Sequence, residues 1–167
     1  MLAKTSHIII FMFMSYLIPQ DSFATSCQTD GSTCEFYSCY EEEREDNSCG
    51  NRGYVLGFGK KYCDKFLNDQ KFTQIGKQWL LDVRECLQEE LALVDAGSSC
   101  QEIKKAGISS HAPCYIDLGF CQLPRSDQRR ILATVFWAGL DPMVAKSGRK
   151  ILSDCRDLGY PVRILYP

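Results

Sequence analysis

Ten cysteines are spread along the chain after residue 24, and they constrain the possible fold more than any other feature. They are Cys27, Cys34, Cys39, Cys49, Cys63, Cys86, Cys100, Cys114, Cys121 and Cys155. An even number of cysteines in an exported chain predicts disulfides, because the export route is oxidising. Five bridges at about 3 kcal/mol each would rival the whole net stability of a domain. We therefore expect a fold held together by covalent links between its elements.

The N-terminus has the pattern of a secretory signal peptide at residues 1–24. Lys4 supplies the positive start, residues 8–18 form the apolar run, and residues 22–24 end in the small residue that signal peptidase requires. The apolar run is short for a membrane anchor, and no second apolar span follows it. We predict a secreted, extracellular protein with no membrane span and a single domain at residues 25–167.

Helical spacing of apolar residues recurs through most of the remaining chain. In the segment from Phe72 to Leu91, one face carries Ile75, Trp79, Val83 and Cys86, which predicts a core helix with a cysteine on its buried side. Five further helices are predicted, and the first spans residues 54–67. The second runs from a cap at Ser98 or Ser99 to Gly107, and the third runs from Pro113 to Cys121. The fourth runs from Ile131 to Leu140 with Ser126 or Asp127 as its cap, and the last begins at Asp141-Pro142, passes through Cys155 and stops at Gly159 and Pro161. Strand alternation is scarce. The predicted fold is all-α.

The stretch before the first predicted helix is expected to be irregular. Residues 25–52 are rich in small and polar residues and show no lasting periodicity. Their acidic run at residues 41–46 predicts a solvated loop, with an electrostatic contact to a basic partner or to Ca²⁺ as the alternative. An EF-hand spacing is absent from the sequence, and no metal site is predicted.

One pair of cysteines can be excluded by geometry. Cys114 and Cys121 are seven residues apart, so on one helix they would lie about 10.5 Å apart along the axis. A disulfide needs Cα atoms within about 7 Å. Each of the two must therefore bond a different partner, and spacing alone leaves those partners open.

Four stretches of the sequence are similar to the stanniocalcins, a family of secreted, disulfide-rich glycoprotein hormones. The matching patterns are C-x4-C from Cys34 to Cys39, C-x-x-F-L from Cys63 to Leu67, F-x3-G-K-x-[FW]-x6-C from Phe72 to Cys86, and C-Y-x-x-L-x-x-C from Cys114 to Cys121. Cys155 also falls at about the family's distance after Cys121. The resemblance covers nearly all of residues 25–167.

The resemblance implies a disulfide pairing and a comparison with the family's other features. The implied pairs are Cys27–Cys39, Cys34–Cys63, Cys49–Cys100, Cys86–Cys114 and Cys121–Cys155. The further cysteine that links two subunits in the family has no counterpart after Cys155 in this sequence, so we do not expect a covalent dimer of that type, and a non-covalent homodimer stays open. The common glycosylation sequon is also absent, since Asn47-Ser48-Cys49 is only the rare Asn-x-Cys form.

Features of an enzyme or a nucleic-acid-binding protein are scarce in this sequence. His111 is the one histidine after residue 24, and we interpret it as a surface or capping residue rather than a catalytic one. No G-x-S-x-G nucleophile motif occurs, and the net charge of −2 disfavours nucleic acid. We predict six aromatic residues to be core residues, with a ligand cage as the alternative: Trp79, Trp137, Phe136, Phe58, Phe66 and Phe72. We predict a non-enzymatic protein with no catalytic residue and no cofactor.

The resemblance implies a hormone connected with calcium and phosphate balance that acts by binding another protein. Its partner would be a protein receptor or, in an alternative mechanism, a secreted metalloproteinase of the pappalysin kind that the protein inhibits. A secreted effector that shares only the disulfide framework is the other alternative. The sequence does not identify the residues of the binding face.

Overall fold

The computed structural model of the protein describes residues 25–160, apart from the side chain of Glu45. The predicted signal peptide and Pro161 lie outside this range. The described residues form six α-helices and no strand, which confirms the predicted all-α fold. The helices are α1 (Glu35–Glu42), α2 (Lys61–Leu67), α3 (Gln74–Ala92), α4 (Cys100–Asp117), α5 (Arg125–Val135) and α6 (Pro142–Asp157). A π-helical turn at Val55–Lys60 leads into α2, and 3₁₀ turns occupy Glu45–Asn47, Phe120–Gln122 and Phe136–Leu140.

Helix α3 is the predicted core helix, and Thr73 caps it. The Thr73 hydroxyl accepts a hydrogen bond from the backbone N–H of Gly76, which satisfies a donor of the first turn. Trp79 and Val83 are buried as predicted. Ile75, which the spacing placed on the same face, is 63% exposed. It lies in the first turn, next to the end of the helix, where the core does not reach.

Helix α4 is one continuous helix where the sequence predicted two. It begins at a capping box in which Ser99 and Glu102 exchange hydrogen bonds, and it runs through both Gly107 and Pro113 to Asp117. The prediction that Gly107 ends a helix is wrong because its backbone stays helical and packs closely against another element. Pro113 is exposed, so the carbonyl that loses its helical N–H partner there can bond to water. Cys121 lies beyond the helix, in a 3₁₀ turn.

Helix α1 lies in the segment predicted to be irregular, and part of the acidic run after it is buried. Phe36 and Tyr40 on α1 face the core. The Glu41 carboxylate is 5% exposed and accepts hydrogen bonds from the backbone N–H groups of Cys49 and Gly50. Arg44 is 2% exposed and donates to the carbonyl oxygens of Ala96 (2.7 Å) and Ser98 (3.0 Å). The predicted solvated loop is wrong at these two positions, since both charged groups satisfy backbone atoms.

The C-terminal part of the described chain consists of α5 and α6, which the 3₁₀ turn Phe136–Leu140 connects, and α6 packs mainly on α4. The predicted last helix is confirmed, and the Asp141 carboxylate caps it by accepting from the backbone N–H of Met143 (2.9 Å). Helix α5 starts after Pro124, so neither Ser126 nor Asp127 caps it. The buried Asp127 carboxylate instead accepts hydrogen bonds from the backbone N–H and the hydroxyl of Thr73, at the start of α3.

Five disulfides connect these elements, and none of the cysteines in residues 25–160 is free. They join Cys27 to Cys39, Cys34 to Cys63, Cys49 to Cys100, Cys86 to Cys114, and Cys121 to Cys155. These are the same five pairs that the family resemblance implies. Cys114 and Cys121 bond different partners, as the distance argument required. No helix in the described part of the chain combines the length and apolar character needed to cross a bilayer.

Candidate functional site

A large apolar cavity lies between helices α3, α4, α5 and α6 and the π-helical turn. Its volume is about 460 Å³, within the range of roughly 300–1,000 Å³ that ligand pockets occupy. Aromatic side chains, here called the aromatic wall, form much of the lining, and aliphatic side chains from α3, α4, α5 and α6 complete it. The aromatic members are Tyr37, Tyr54, Phe58, Tyr62, Phe66, Tyr115, Phe120 and Phe136.

Local backbone features hold the aromatic wall in place. The wider turn at Val55–Lys60 presents Phe58 between Tyr54 and Tyr62, with ring centroids 5.4 Å and 4.8 Å away. The Tyr54 ring lies against Gly107 of α4, in the space that a Cβ atom would otherwise occupy. This close approach explains why a glycine is found in the middle of a helix, where it lowers stability by about 1 kcal/mol relative to alanine.

Three tyrosine hydroxyls are polar groups of the cavity, and they form no hydrogen bonds with one another. Those of Tyr37, Tyr54 and Tyr115 make no hydrogen bond to any group in residues 25–160. Burial raises the pKa of all three phenols, and the repulsion that the anionic form of one would exert on another adds to the effect on Tyr37 and Tyr54. They are therefore neutral at physiological pH, and each can donate a hydrogen bond to a bound molecule.

Arg84 contributes a buried positive charge to the same cavity. Its side chain lies on the inner face of α3 and the residue is 9% exposed. The Nε–H donates to the backbone carbonyl of Gly31 at 2.7 Å, and no carboxylate within residues 25–160 pairs with the guanidinium. Burial lowers the pKa of Arg84, yet a guanidinium stays protonated in proteins. The terminal N–H groups are thus charged donors without a counter-ion among the described residues.

His111 also lines the cavity, so the prediction of a surface or capping position is wrong. Its ring lies 5.9 Å from that of Phe58 and 5.8 Å from that of Tyr115, centroid to centroid. Nδ1 is 2.7 Å from the carbonyl oxygen of Gly107, its one hydrogen-bond partner in the described chain. Burial lowers the pKa of His111, so the ring is neutral above its ordinary pKa of 6.5. It approaches no serine or carboxylate of residues 25–160 in the manner of a catalytic triad.

The 3₁₀ turn Phe136–Leu140 forms an exposed apolar ridge at the rim of the cavity. Phe136 is 66% exposed, Trp137 is 72% exposed and Leu140 is 77% exposed. The prediction that Phe136 and Trp137 belong to the core is therefore wrong: α5 ends at Val135, and the tighter turn that follows directs these rings away from it. Phe136 and Leu140 also line the cavity, whereas Trp137 does not.

One group of potential metal ligands occurs in the described residues, but it cannot act as a metal site in this form. The sulfur atoms of Cys27 and Cys39 lie close to the Glu43 carboxylate. Both sulfurs are joined in a disulfide and offer no thiolate. The carboxylate already accepts hydrogen bonds from Thr25 and Ser26, which help to lower the pKa of Glu43.

No family model, curated protein or solved structure matches this chain. The stanniocalcin resemblance therefore stays a prediction from the sequence motifs. The described residues define the class of protein more coarsely, as an all-α domain stapled by five disulfides.

The structure brings together only some of the residues that the sequence analysis considered. Phe58, Phe66, His111 and Phe136 meet at the cavity. The acidic run lies outside it, and no binding residue was predicted. The signal that was missed is Arg84, which the helical spacing of α3 places one position from Val83 on the buried side.

Proposed function

We propose that the protein is exported, has no enzymatic activity, and acts by binding another protein through the Phe136–Leu140 ridge. The exposure of Phe136, Trp137 and Leu140 is the observation that carries this proposal. Three large apolar side chains on one turn form a surface patch that favours association. Tryptophan in particular is enriched among the residues that dominate the energy of protein interfaces.

The ridge is held rigidly, which favours specific binding. It lies between α5 and α6, and the Cys121–Cys155 bridge fixes the far end of α6 to the turn before α5. A binding surface that is ordered in advance loses less conformational entropy when a partner arrives.

The charge around the ridge supports a partner of complementary, acidic character. Residues 125–157, which carry the ridge, contain seven basic and four acidic residues, although the whole chain has a net charge of −2. Lys146 and Arg149 on α6 are exposed and form no ion pair within residues 25–160. The favoured partner therefore presents an apolar cleft surrounded by acidic groups.

The stanniocalcin resemblance supplies the biological context of this proposal. It implies a secreted hormone of calcium and phosphate balance whose partner is a cell-surface receptor. The five disulfides are compatible with an extracellular location. A metalloproteinase partner would be recognised separately, by loss of the protease's activity when the purified protein is added.

The test measures saturable binding of labelled protein to intact cells. Trp137→Ala should weaken binding about 30-fold or more, as expected for an interface hot spot worth about 2 kcal/mol. Leu93→Ala is the matched control, because Leu93 is 81% exposed but lies at the end of α3. Equal losses for the two variants would contradict docking through the ridge. If the protein binds protein-free anionic vesicles as tightly as it binds cells, and Trp137→Ala weakens both, the partner is a membrane and not a protein.

A further inference from the structure

We propose that the cavity binds a single-chain amphipathic anion, a fatty carboxylate or an alkyl phosphate, with its charged head at Arg84 and its alkyl chain along the aromatic wall. This activity goes beyond the proposed function, since it uses the interior of the helical bundle rather than the ridge. Trp137, which the docking test replaces, does not line the cavity.

The shape and polarity of the cavity select the alkyl chain. Its volume of about 460 Å³ is large for a core that would otherwise be close-packed. The walls are aromatic and aliphatic side chains from all six helices and the turns between them, with only a few polar groups among them. Each methylene that enters such a site is removed from water, which favours binding about fourfold per group.

The charged groups of the cavity select an anion. Its lining contains Arg84, Arg149 and His111, and it contains no aspartate or glutamate. A buried charge is strongly destabilising unless it is paired and hydrogen-bonded. Arg84 uses Nε–H for the Gly31 carbonyl, so its terminal N–H groups are available to an oxyanion in the two-pronged geometry that a guanidinium prefers.

The tyrosines provide the remaining donors. Tyr37 lies close enough to Arg84 for the guanidinium to influence the ionisation of its hydroxyl. The hydroxyls of Tyr37, Tyr54 and Tyr115 are neutral donors that have no partner in residues 25–160. A carboxylate or phosphate head at Arg84 can accept from the nearby Tyr37 hydroxyl, whereas a neutral alcohol would leave the positive charge of the guanidinium uncompensated.

Intrinsic fluorescence gives a direct measurement of occupancy. The chain has two tryptophans, so Trp137→Phe leaves Trp79 as the single reporter. The Trp79 ring packs on two residues of the cavity wall, Tyr115 at 5.0 Å and Phe120 at 5.7 Å. Titrating this variant with palmitate, hexadecyl phosphate and hexadecanol compares three heads on the same chain. Either anion should bind at least tenfold more tightly than the alcohol.

Two substitutions locate the site. Arg84→Met retains an apolar stem without the charge, and it should lower the affinity for the anions roughly ten- to hundredfold while leaving that for hexadecanol unchanged. Arg84→Lys, which keeps the charge, should retain the preference for anions. Gly148→Leu projects a side chain from α6 at the cavity, where no heavy atom lies within 4 Å of the Cβ position, and it should weaken all three probes.

The outcomes separate this inference from the proposed function. Equal binding of the three probes, or none, would refute an anion site. An unchanged anion preference in Arg84→Met would refute the role of Arg84, and unaffected binding in Gly148→Leu would refute this cavity as the location. If Arg84→Met does not fold, two results still decide whether the cavity binds anions. They are the comparison of the three probes in the protein that keeps Arg84, and the binding of the probes to Gly148→Leu. Cell binding that is lost in Trp137→Ala, with palmitate binding retained, would support both proposals independently.

Discussion

Replacing Gly107 with alanine tests the packing that creates the aromatic wall. An added Cβ would overlap the Cε1, Cζ and hydroxyl oxygen atoms of Tyr54. Tyr54 is 8% exposed and stacked on Phe58, so its ring cannot move away freely. Overpacking of this kind lowers stability by about 1–3 kcal/mol.

A second glycine supplies the control that isolates this packing effect. Gly148 is also inside a helix, but no heavy atom lies within 4 Å of its Cβ position. Alanine is favoured over glycine in a helix by about 1 kcal/mol at either site. Gly148→Ala should therefore raise the free energy of unfolding by about 1 kcal/mol. The free energy of unfolding of Gly107→Ala should be lower than that of Gly148→Ala by the overpacking energy of about 1–3 kcal/mol.

The assay is urea unfolding with the disulfides intact, followed by far-ultraviolet circular dichroism. A double-mutant cycle completes it, because Gly107→Ala in a Tyr54→Ala background has no ring to displace and should be stabilising. If Gly107→Ala is as stable as Gly148→Ala in the unaltered background, the contact between Tyr54 and α4 is not as close as described. The aromatic wall built on that contact would then have a different shape.

Two further predictions concern pH and the covalent framework. Burial places the pKa of His111 below 6.5 in the folded state, so the unfolded chain takes up the proton first as the pH falls. The contribution of the neutral ring to stability is present above pH 6.5 and is lost as the pH falls below it. The free energy of unfolding should therefore be lower at pH 5.5 than at pH 7.5, and the decrease should be smaller in His111→Gln. An equal decrease in the two proteins would contradict a buried neutral ring. Replacing Cys49 and Cys100 by alanine should destabilise by about 1 kcal/mol more than replacing Cys27 and Cys39, because the loops closed span 51 and 12 residues. Equal thermal or urea midpoints for the two double variants would argue against the chain-entropy explanation.

Local sequence patterns were sufficient to predict the elements whose signals are local. The periodicity around Trp79 and Val83 predicted α3, and Asp141 followed by Pro142 predicted the start of α6, because capping and helical spacing act within a few residues. The prediction at Gly107 is wrong for the same reason. A glycine resembles a helix end locally, and only the position of Tyr54, distant in the chain, shows that the missing side chain serves packing.

Charged residues show more clearly that local sequence patterns do not reveal contacts between distant segments. Asp127 has the sequence context of a helix cap, but its buried carboxylate binds Thr73 at the start of another helix. Glu41 and Arg44 belong to an acidic run that looks solvated, yet both satisfy backbone groups of neighbouring loops. The partner of a buried polar group is decided by which segments meet in three dimensions, and a single sequence does not contain that information.

The candidate site depends on an absence of partners that no local pattern could predict. Helical spacing places Arg84 on the buried side of α3, but a carboxylate from any other element could have neutralised it. No carboxylate of residues 25–160 pairs with it, and it shares the cavity lining with several tyrosines. Its Nε–H binds the Gly31 carbonyl, but a buried positive charge without a carboxylate partner is still unfavourable. An anionic ligand at Arg84 would compensate this charge, which is the physical reason for the site that we propose there.

The cavity and the ridge share residues, and this connects the two proposed activities. Phe136 and Leu140 are exposed on the ridge and also line the cavity. A molecule in the cavity that changes the position of either side chain must change the affinity of the ridge for its partner. By thermodynamic linkage, the partner then changes the affinity for the cavity ligand by the same factor. Measuring cell binding with and without saturating palmitate gives the sign of that coupling, and identical affinities would show that the two sites act independently despite their common residues.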